Sequence, residues 1–366
     1  MNPVENALRR ADAAQQSHPL AAFLVGLVKK FGDDNGGVLV TNLSYAAFVS
    51  VFPLLLILVT VLVNIAAVDP SLQSQVLDAV RDQFPLMGKQ LTGNVHALRR
   101  ATVASLVVGL LLLLWGVTRL SQAGLWVMEQ VWNLPGPARP GYLPRLGRSV
   151  EFLALLALGL VISTLLGGLV TYGHHAVAFR VLAQVLAGAA NVGMYVAGFR
   201  VLTPKGVPIR RLLPGAVAGG LFWTLLQALG AYLVHHYLTS DSVYGIFATV
   251  LGLIGWIYFG AQGTVYAAEI NVVLARRLWP RALIQPPLTE ADRASMALQA
   301  LQNQRRPEQQ VEVTFSDRPD GTPAPPQTPR TPAGISPPAD PPARTPETPR
   351  DPGAPSAPKT ARLRNS

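Results

Sequence analysis

The stretch Val38–Val63 contains not one Asp, Glu, Lys or Arg. As a helix it would reach about 39 Å, beyond the roughly 30 Å hydrocarbon core of a bilayer. A helix on a water-soluble domain is apolar along one stripe. One that is apolar all round needs lipid or other apolar helices on every side. Ala101–Thr118, Val150–Tyr172, Val181–Leu202, Leu212–His236 and Tyr244–Val273 have the same character. Their Leu, Ile, Val and Phe residues each favour insertion by about 0.3–0.6 kcal/mol, enough to carry a few Ser, Thr, Asn or Gln. None of the runs alternates polar with apolar, which excludes a membrane barrel. The expected fold is all-α: a polytopic six-transmembrane-helix bundle with short amphipathic helices and a disordered C-terminal tail.

The loops set the orientation. Arg9, Arg10, Lys29 and Lys30 precede the first run, and Arg119, Arg139, Arg145 and Arg148 separate the second from the third. Arg200, Lys205, Arg210 and Arg211 separate the fourth from the fifth, and Arg276, Arg277 and Arg281 follow the sixth. The alternate loops are poorer in bases or offset by Asp69, Asp78 and Asp82. Basic residues stay on the cytoplasmic side, so both termini are expected there, in a bacterial inner membrane. This bias largely accounts for the net charge of +10. The bases are scattered over loops and not interleaved with stacking aromatics, so no nucleic-acid partner is expected.

Residues 1–37 read as a cytoplasmic lead-in. Its Leu20, Phe23, Leu24, Leu27 and Phe31 stripe suits a helix lying in the membrane interface or packed on a span. No cleavable signal peptide is seen there. Residues 38–277 read as the membrane domain. Within it Leu72, Val76, Val80 and Phe84 predict a short amphipathic helix in the first outer loop. Leu120, Gly124, Val127, Met128 and Val131 predict a helix that extends or follows the second span and stops before Pro135 and Pro137. Residues 278–366 read as a Pro-rich disordered cytoplasmic tail. About half of the 31 prolines lie in the last fifty residues, with too little apolar surface to offset ordering. Prolines at every third position from Pro346 to Pro358 suit a polyproline II helix, either a spacer or a ligand for a tail-binding protein.

Polar and helix-breaking residues recur inside the spans in a definite order. The first span carries Ser44, Tyr45, Ser50, Phe52 and Pro53, and Trp132-Asn133 follows the second. The fifth opens with Pro214-Gly215-Ala216 and runs to Trp223. The sixth opens with Tyr244-Gly245 and closes with Glu269 and Asn271. This order resembles the YihY / virulence factor BrkB family of bacterial inner-membrane proteins, once labelled ribonuclease BN. The resemblance covers about residues 20–277 and departs at Ala268, where the family commonly has Gly. It implies a six-span envelope protein linked to envelope integrity, serum resistance or lipid-related transport, without a settled molecular activity.

The residues themselves point to candidate roles. Pro53 removes a helix hydrogen bond, giving either a hinge or a static kink. Ser163 with Gly167, and Gly215 with Gly219, are small-xxx-small pairs that bring helix backbones close. Glu269 is an ionisable group within a span, which is expected to gate or to contact a headgroup, in a cytoplasmic cluster with Arg119 and Asn133. His174, His175, His235 and His236 end the third and fifth spans. They are weak zinc candidates, because neighbouring positions on a helix point about 100° apart.

The chain has no cysteine, which removes disulfides and thiolate metal sites. His18 is the only cytoplasmic His, and no P-loop, GxSxG or HExxH motif occurs. Nuclease chemistry needs metals held by His and carboxylates, or an acid–base pair. The chain is therefore read as a non-enzyme without a cofactor. Two function classes remain open. One is transport or handling of a lipid or small solute, with Ser44, Tyr45, Asn64, Gln184, Asn191, Gln227 and Gln262 lining a polar cavity. The other is a membrane scaffold, as a monomer or a homo-oligomer, whose tail recruits partners and whose polar residues bond helix to helix.

Overall fold

The computed structural model describes residues 3–66, 103–172, 177–203, 206–237 and 243–315. Among them there is helix and no strand. We number the helices α1 (Pro3–Ser17), α2 (Pro19–Asp33), α3 (Gly36–Ala66), α4 (Val103–Val131), α5 (Tyr142–Tyr172), α6 (Val177–Leu202), α7 (Leu213–Tyr237), α8 (Val243–Arg276) and α9 (Glu290–Gln302). Five stretches are long and apolar enough to cross a membrane: Val107–Val131, Tyr142–Ser163, Val181–Leu202, Leu213–Leu233 and Val250–Arg276. The first of the six expected spans is α3, which counts as a shorter apolar helix over Gly36–Val51, where its side chains are described. The predicted stripe Leu120–Val131 is the continuation of α4, not a separate helix. The outer-loop helix predicted around Leu72–Phe84 lies outside the described residues.

Each helix from α3 to α8 packs on the next in sequence, and α8 returns to α3, closing a ring. Short antiparallel connections favour this order. The ring is held by close approaches. A Cβ on Gly215 would stand 1.9 Å from the Ala267 carbonyl oxygen, so only glycine lets α7 lie this near α8. Gly219 admits Tyr195 in the same way, and Gly260 admits Trp223, whose ring meets Trp256 edge-on at 6.5 Å. Pro53 does not interrupt α3. It is buried, and its ring packs on the Gly116 position of α4, while Ser50 donates to the carbonyls of Ala46 and Gly116, both at 2.7 Å. This contact fits the static kink better than the hinge.

The dense core lies at one end of the ring, here called the base. There α3 and α7 begin and α4, α6 and α8 end: Leu39, Val40 and Leu43 meet Leu125, Val127 and Val131, with Phe199, Leu202, Ala216, Val265, Val272 and Leu278. Two helices end at the base in left-handed caps. Asn133 (φ 48°) follows α4, with the Leu134 amide donating to the Glu129 carbonyl, and Arg277 (φ 53°) follows α8, with Leu278 donating to Val273. Both are six-to-one Schellman closures.

The expected boundary at 278 needs correction. Residues 278–302 are folded and dock on the base. Thr289 caps α9 reciprocally with Asp292, and Asp292 also accepts from Arg281 Nε at 2.8 Å and the Ala282 amide at 3.0 Å. Arg281 pairs with Asp33 at the end of α2, and Ser295 donates to the same carboxylate. Hydrophobic runs do vanish after 283. A helix held by a capping box and a buried ion pair needs few of them. The Pro-rich stretch from 316 onward lies outside the described residues.

Burial pushes Asp292 upward, but the hydrogen bonds from Arg281, Ala282 and Thr289 outweigh it and hold the carboxyl below its ordinary 3.8. A depressed carboxyl stabilises the fold fully above the unfolded value. Its contribution fades as the pH falls from 3.8 through the lower native value. Asp292→Asn should lower stability at neutral pH by about 1.5–3 kcal/mol for hydrogen bonds to a charged group, because Arg281 stays paired with Asp33. It should also flatten the loss of melting temperature below pH 4 (an order-of-magnitude boundary), measured by thermal unfolding in detergent.

Candidate functional site

The base is sealed by charge as well as by apolar packing. Lys30, on the last turn of α2, would be expected at the surface, but only 1% of it is exposed. Its ammonium donates to Asp34 and to the Val131 carbonyl at 3.1 Å, and lies 3.5 Å from Glu269 Oε2. Asp34 just follows α2, Val131 ends α4 and Glu269 lies on α8, so one cation ties three helices together. Asn133 donates its amide to Asp34 at 3.1 Å and to Gln302 of α9 at 3.0 Å. Arg276 donates to the Trp132 carbonyl at 2.8 Å, and Gln299 of α9 to the Asp33 carbonyl at 2.8 Å. The cluster therefore also holds the docked C-terminal helix.

Ionic groups survive in a dry site only if they are paired. Burial raises the Asp34 carboxyl above its ordinary value, although Lys30 and Asn133 oppose the rise. Glu269 is fully buried, and neither of its carboxyl oxygens accepts a hydrogen bond among the described residues. It is tied to the cluster through the Lys30 charge and lies beside the Asp34 carboxyl.

Several expected residues meet here and several do not. Glu269 and Asn133 join the cluster, as expected. Arg119 does not. It is exposed on α4 with its guanidinium over the Trp115 ring, 5.5 Å from the centroid. Asn271 accepts the Gly215 amide at 2.7 Å, so it fastens the start of α7 to α8. Pro214 is exposed beside it. Tyr45 is exposed on an outer stripe of α3 with Val38, and Ser44 bonds back to the Val40 carbonyl. Ser163 is half-buried in α5. Tyr244 and Gly245 lie in the first turn of α8, and Gly167, His235 and His236 in helices, but their surroundings are outside the described residues, as are His174 and His175. Among the described residues no three His, Cys, Asp or Glu side chains group as a metal site.

Sequence reasoning missed Lys30, Asp34 and Gln302. Lys30-Phe31 sits at the end of an amphipathic stripe, where a lysine usually snorkels to water. Asp34, the Val131 carbonyl and the facing Glu269 together make its burial favourable.

The expected polar cavity also resolves differently. Asn191 donates to Thr224 and to Gln227 Oε1, both at 3.0 Å, joining α6 to α7, and Tyr195 pairs with Thr264 across to α8 at 3.0 Å. Gln184 is exposed, and the Asn64 side chain is outside the described residues. One row of α4 faces the core at Ser121, Leu125, Met128 and Trp132, which are 0%, 0%, 2% and 4% exposed. At helical spacing the same row continues away from the base as Leu114, Leu110 and Val107, at 42%, 51% and 53%. This row is packed at the base and open beyond it, while Leu113, Gly116 and Val117 on another side of α4 stay buried.

A family model for Virulence factor BrkB matches residues 27–290. The chain belongs to the Virulence factor BrkB family. No curated protein and no solved structure matches it. The BrkB match begins at Leu27 in α2 and reaches Glu290. It therefore takes in Lys30, Asp34 and Arg281, so the buried cluster and part of the C-terminal clamp fall within the family's own extent.

The cluster is asymmetric in a testable way. Lys30→Met strands two carboxyls and a carbonyl, whereas Glu269→Gln leaves Lys30 paired with Asp34. In this BrkB-family protein Lys30→Met should cost about 3–5 kcal/mol and Glu269→Gln about 1 kcal/mol or less. Thermal unfolding of the purified variants measures the difference.

Proposed function

We propose that this BrkB-family protein moves or holds a lipid or lipid-like amphiphile within the bacterial inner membrane, and so serves envelope integrity. The carrying observation is the α4 row that is tightly packed at the base and open beyond it. Val107, Leu110 and Leu114 are all apolar, which suits an acyl chain better than a polar solute. The buried Lys30–Asp34–Glu269 cluster would close the bundle toward the cytoplasm, if the basic loops lie there as the charge rule expects. No chemical conversion is needed for this activity, so the protein acts as a non-enzyme.

A scaffold is the second reading, and one observation favours it. Asn191, Thr224, Gln227, Tyr195 and Thr264 are engaged in bonding helix to helix. Such bonds contribute to a stable bundle and leave no polar path through it.

Reconstitution separates the two. Proteoliposomes holding the full chain should speed the exchange of fluorescent phospholipid between leaflets at least several-fold over protein-free vesicles, read by quenching of outer-leaflet label. Tryptophan in place of Leu110 or Leu114 should slow that exchange by filling the open row. Exchange equal to the protein-free rate, with folded protein in the vesicles, would favour the scaffold.

A further inference from the structure

Among the described residues Arg119 has no counter-charge. It directly follows the apolar run Ala101–Thr118. Among the described residues its one partner is the Trp115 ring. Glu129, the acid on the same helix, is taken up by Arg145, which grips it through two bonds of 2.6 and 2.8 Å. A cation on a membrane helix without a protein anion needs an anion from elsewhere.

The row containing Arg119 shows where that anion would come from. Gln122 and Glu129 mark the side of α4 that meets α5, through Ser149 at 3.3 Å and Arg145. Three and four residues at a time, the same side runs on as Arg119, Trp115, Leu111 and Val108, and all four are exposed. So this side of α4 is bonded to α5 from Gln122 to the base and is open beyond Gln122. Arg119 stands where the open face begins, with the apolar Leu111 and Val108 beyond it and the amphipathic Trp115 ring beside it.

We propose that this open face of α4 binds an anionic phospholipid, its phosphate on Arg119 and an acyl chain along Leu111 and Val108. The complement is chemical on both counts: a guanidinium fits phosphate through paired N–H donors, and Trp115 is the residue type that sits at headgroup level. A peptide occupant would bring backbone groups that hydrocarbon cannot satisfy. The inference rests on the lipid-handling reading for its choice of ligand, and it names the headgroup class that reading leaves open.

Tryptophan quenching by brominated lipid in nanodiscs tests it with the full chain. The chain has 6 Trp, and subtracting a Trp115→Phe variant isolates the Trp115 signal. Brominated phosphatidylglycerol should quench that signal with about fivefold preference over brominated phosphatidylcholine. Arg119→Gln should abolish the preference and Arg119→Lys should keep most of it. Equal quenching by the two lipids, or an unchanged preference in Arg119→Gln, would overturn the site. Loss of the preference on adding millimolar inorganic phosphate would show a free-anion site and would overturn it too. Binding is read here without movement. A protein that shows the preference but fails the leaflet-exchange assay counts against transport and leaves the site standing.

Discussion

One buried ammonium organises the base of this protein. Lys30 contributes to α2 a charge that cannot be left alone in a dry site, and it finds Asp34, the Val131 carbonyl and Glu269 from three separate elements. Each of these partners fixes a helix end. Through Asn133 and Gln302 the same cluster reaches α9, and through Asp33 and Arg281 a second ion pair locks the C-terminal segment over it. Apolar packing alone would hold α4 and α8 near each other. The ionic cluster fixes their register, because sliding either helix by one turn would separate paired charges.

A seal at one end gives the rest of the ring its character. Helices in lipid gain little from burying apolar side chains against one another, so close packing needs small residues or polar bonds. Both are concentrated toward the base: Gly215 against Ala267, Gly219 against Tyr195, Asn271 on the Gly215 amide. Farther along α4 they remain on the α3 side, where Gly116 meets Ser50 and Pro53, while large apolar side chains stand open on the Leu114 row and on the α5 side.

The spans were legible because apolar length is a strong signal. Span boundaries held to within a few residues for α6 and α7. Glu269 and Asn133 stood out as a charge in a span and a polar residue at a helix end. Their partners did not, because the pairing of Lys30 with Glu269 joins positions far apart in the chain and sequence periodicity reports only neighbours on one helix. Arg119 was drawn into the wrong cluster for the same reason: it lies near the expected membrane boundary, but its place on the α4 wheel turns it toward α5 and away from Glu269. The clamp at 278–302 was lost to composition, since a short polar helix held by Thr289, Asp292 and Arg281 looks like the start of a tail.

The central claim is that the α4 row packed at Leu125 loses its packing before Leu114. The chain has no cysteine, so a single one can carry a nitroxide label without competition. Electron paramagnetic resonance in lipid should show a label at Leu114 to be mobile and a label at Leu125, on the same row nearer the base, to be strongly immobilised. Equal immobilisation at the two positions would mean a row packed along its whole length, and would contradict the account.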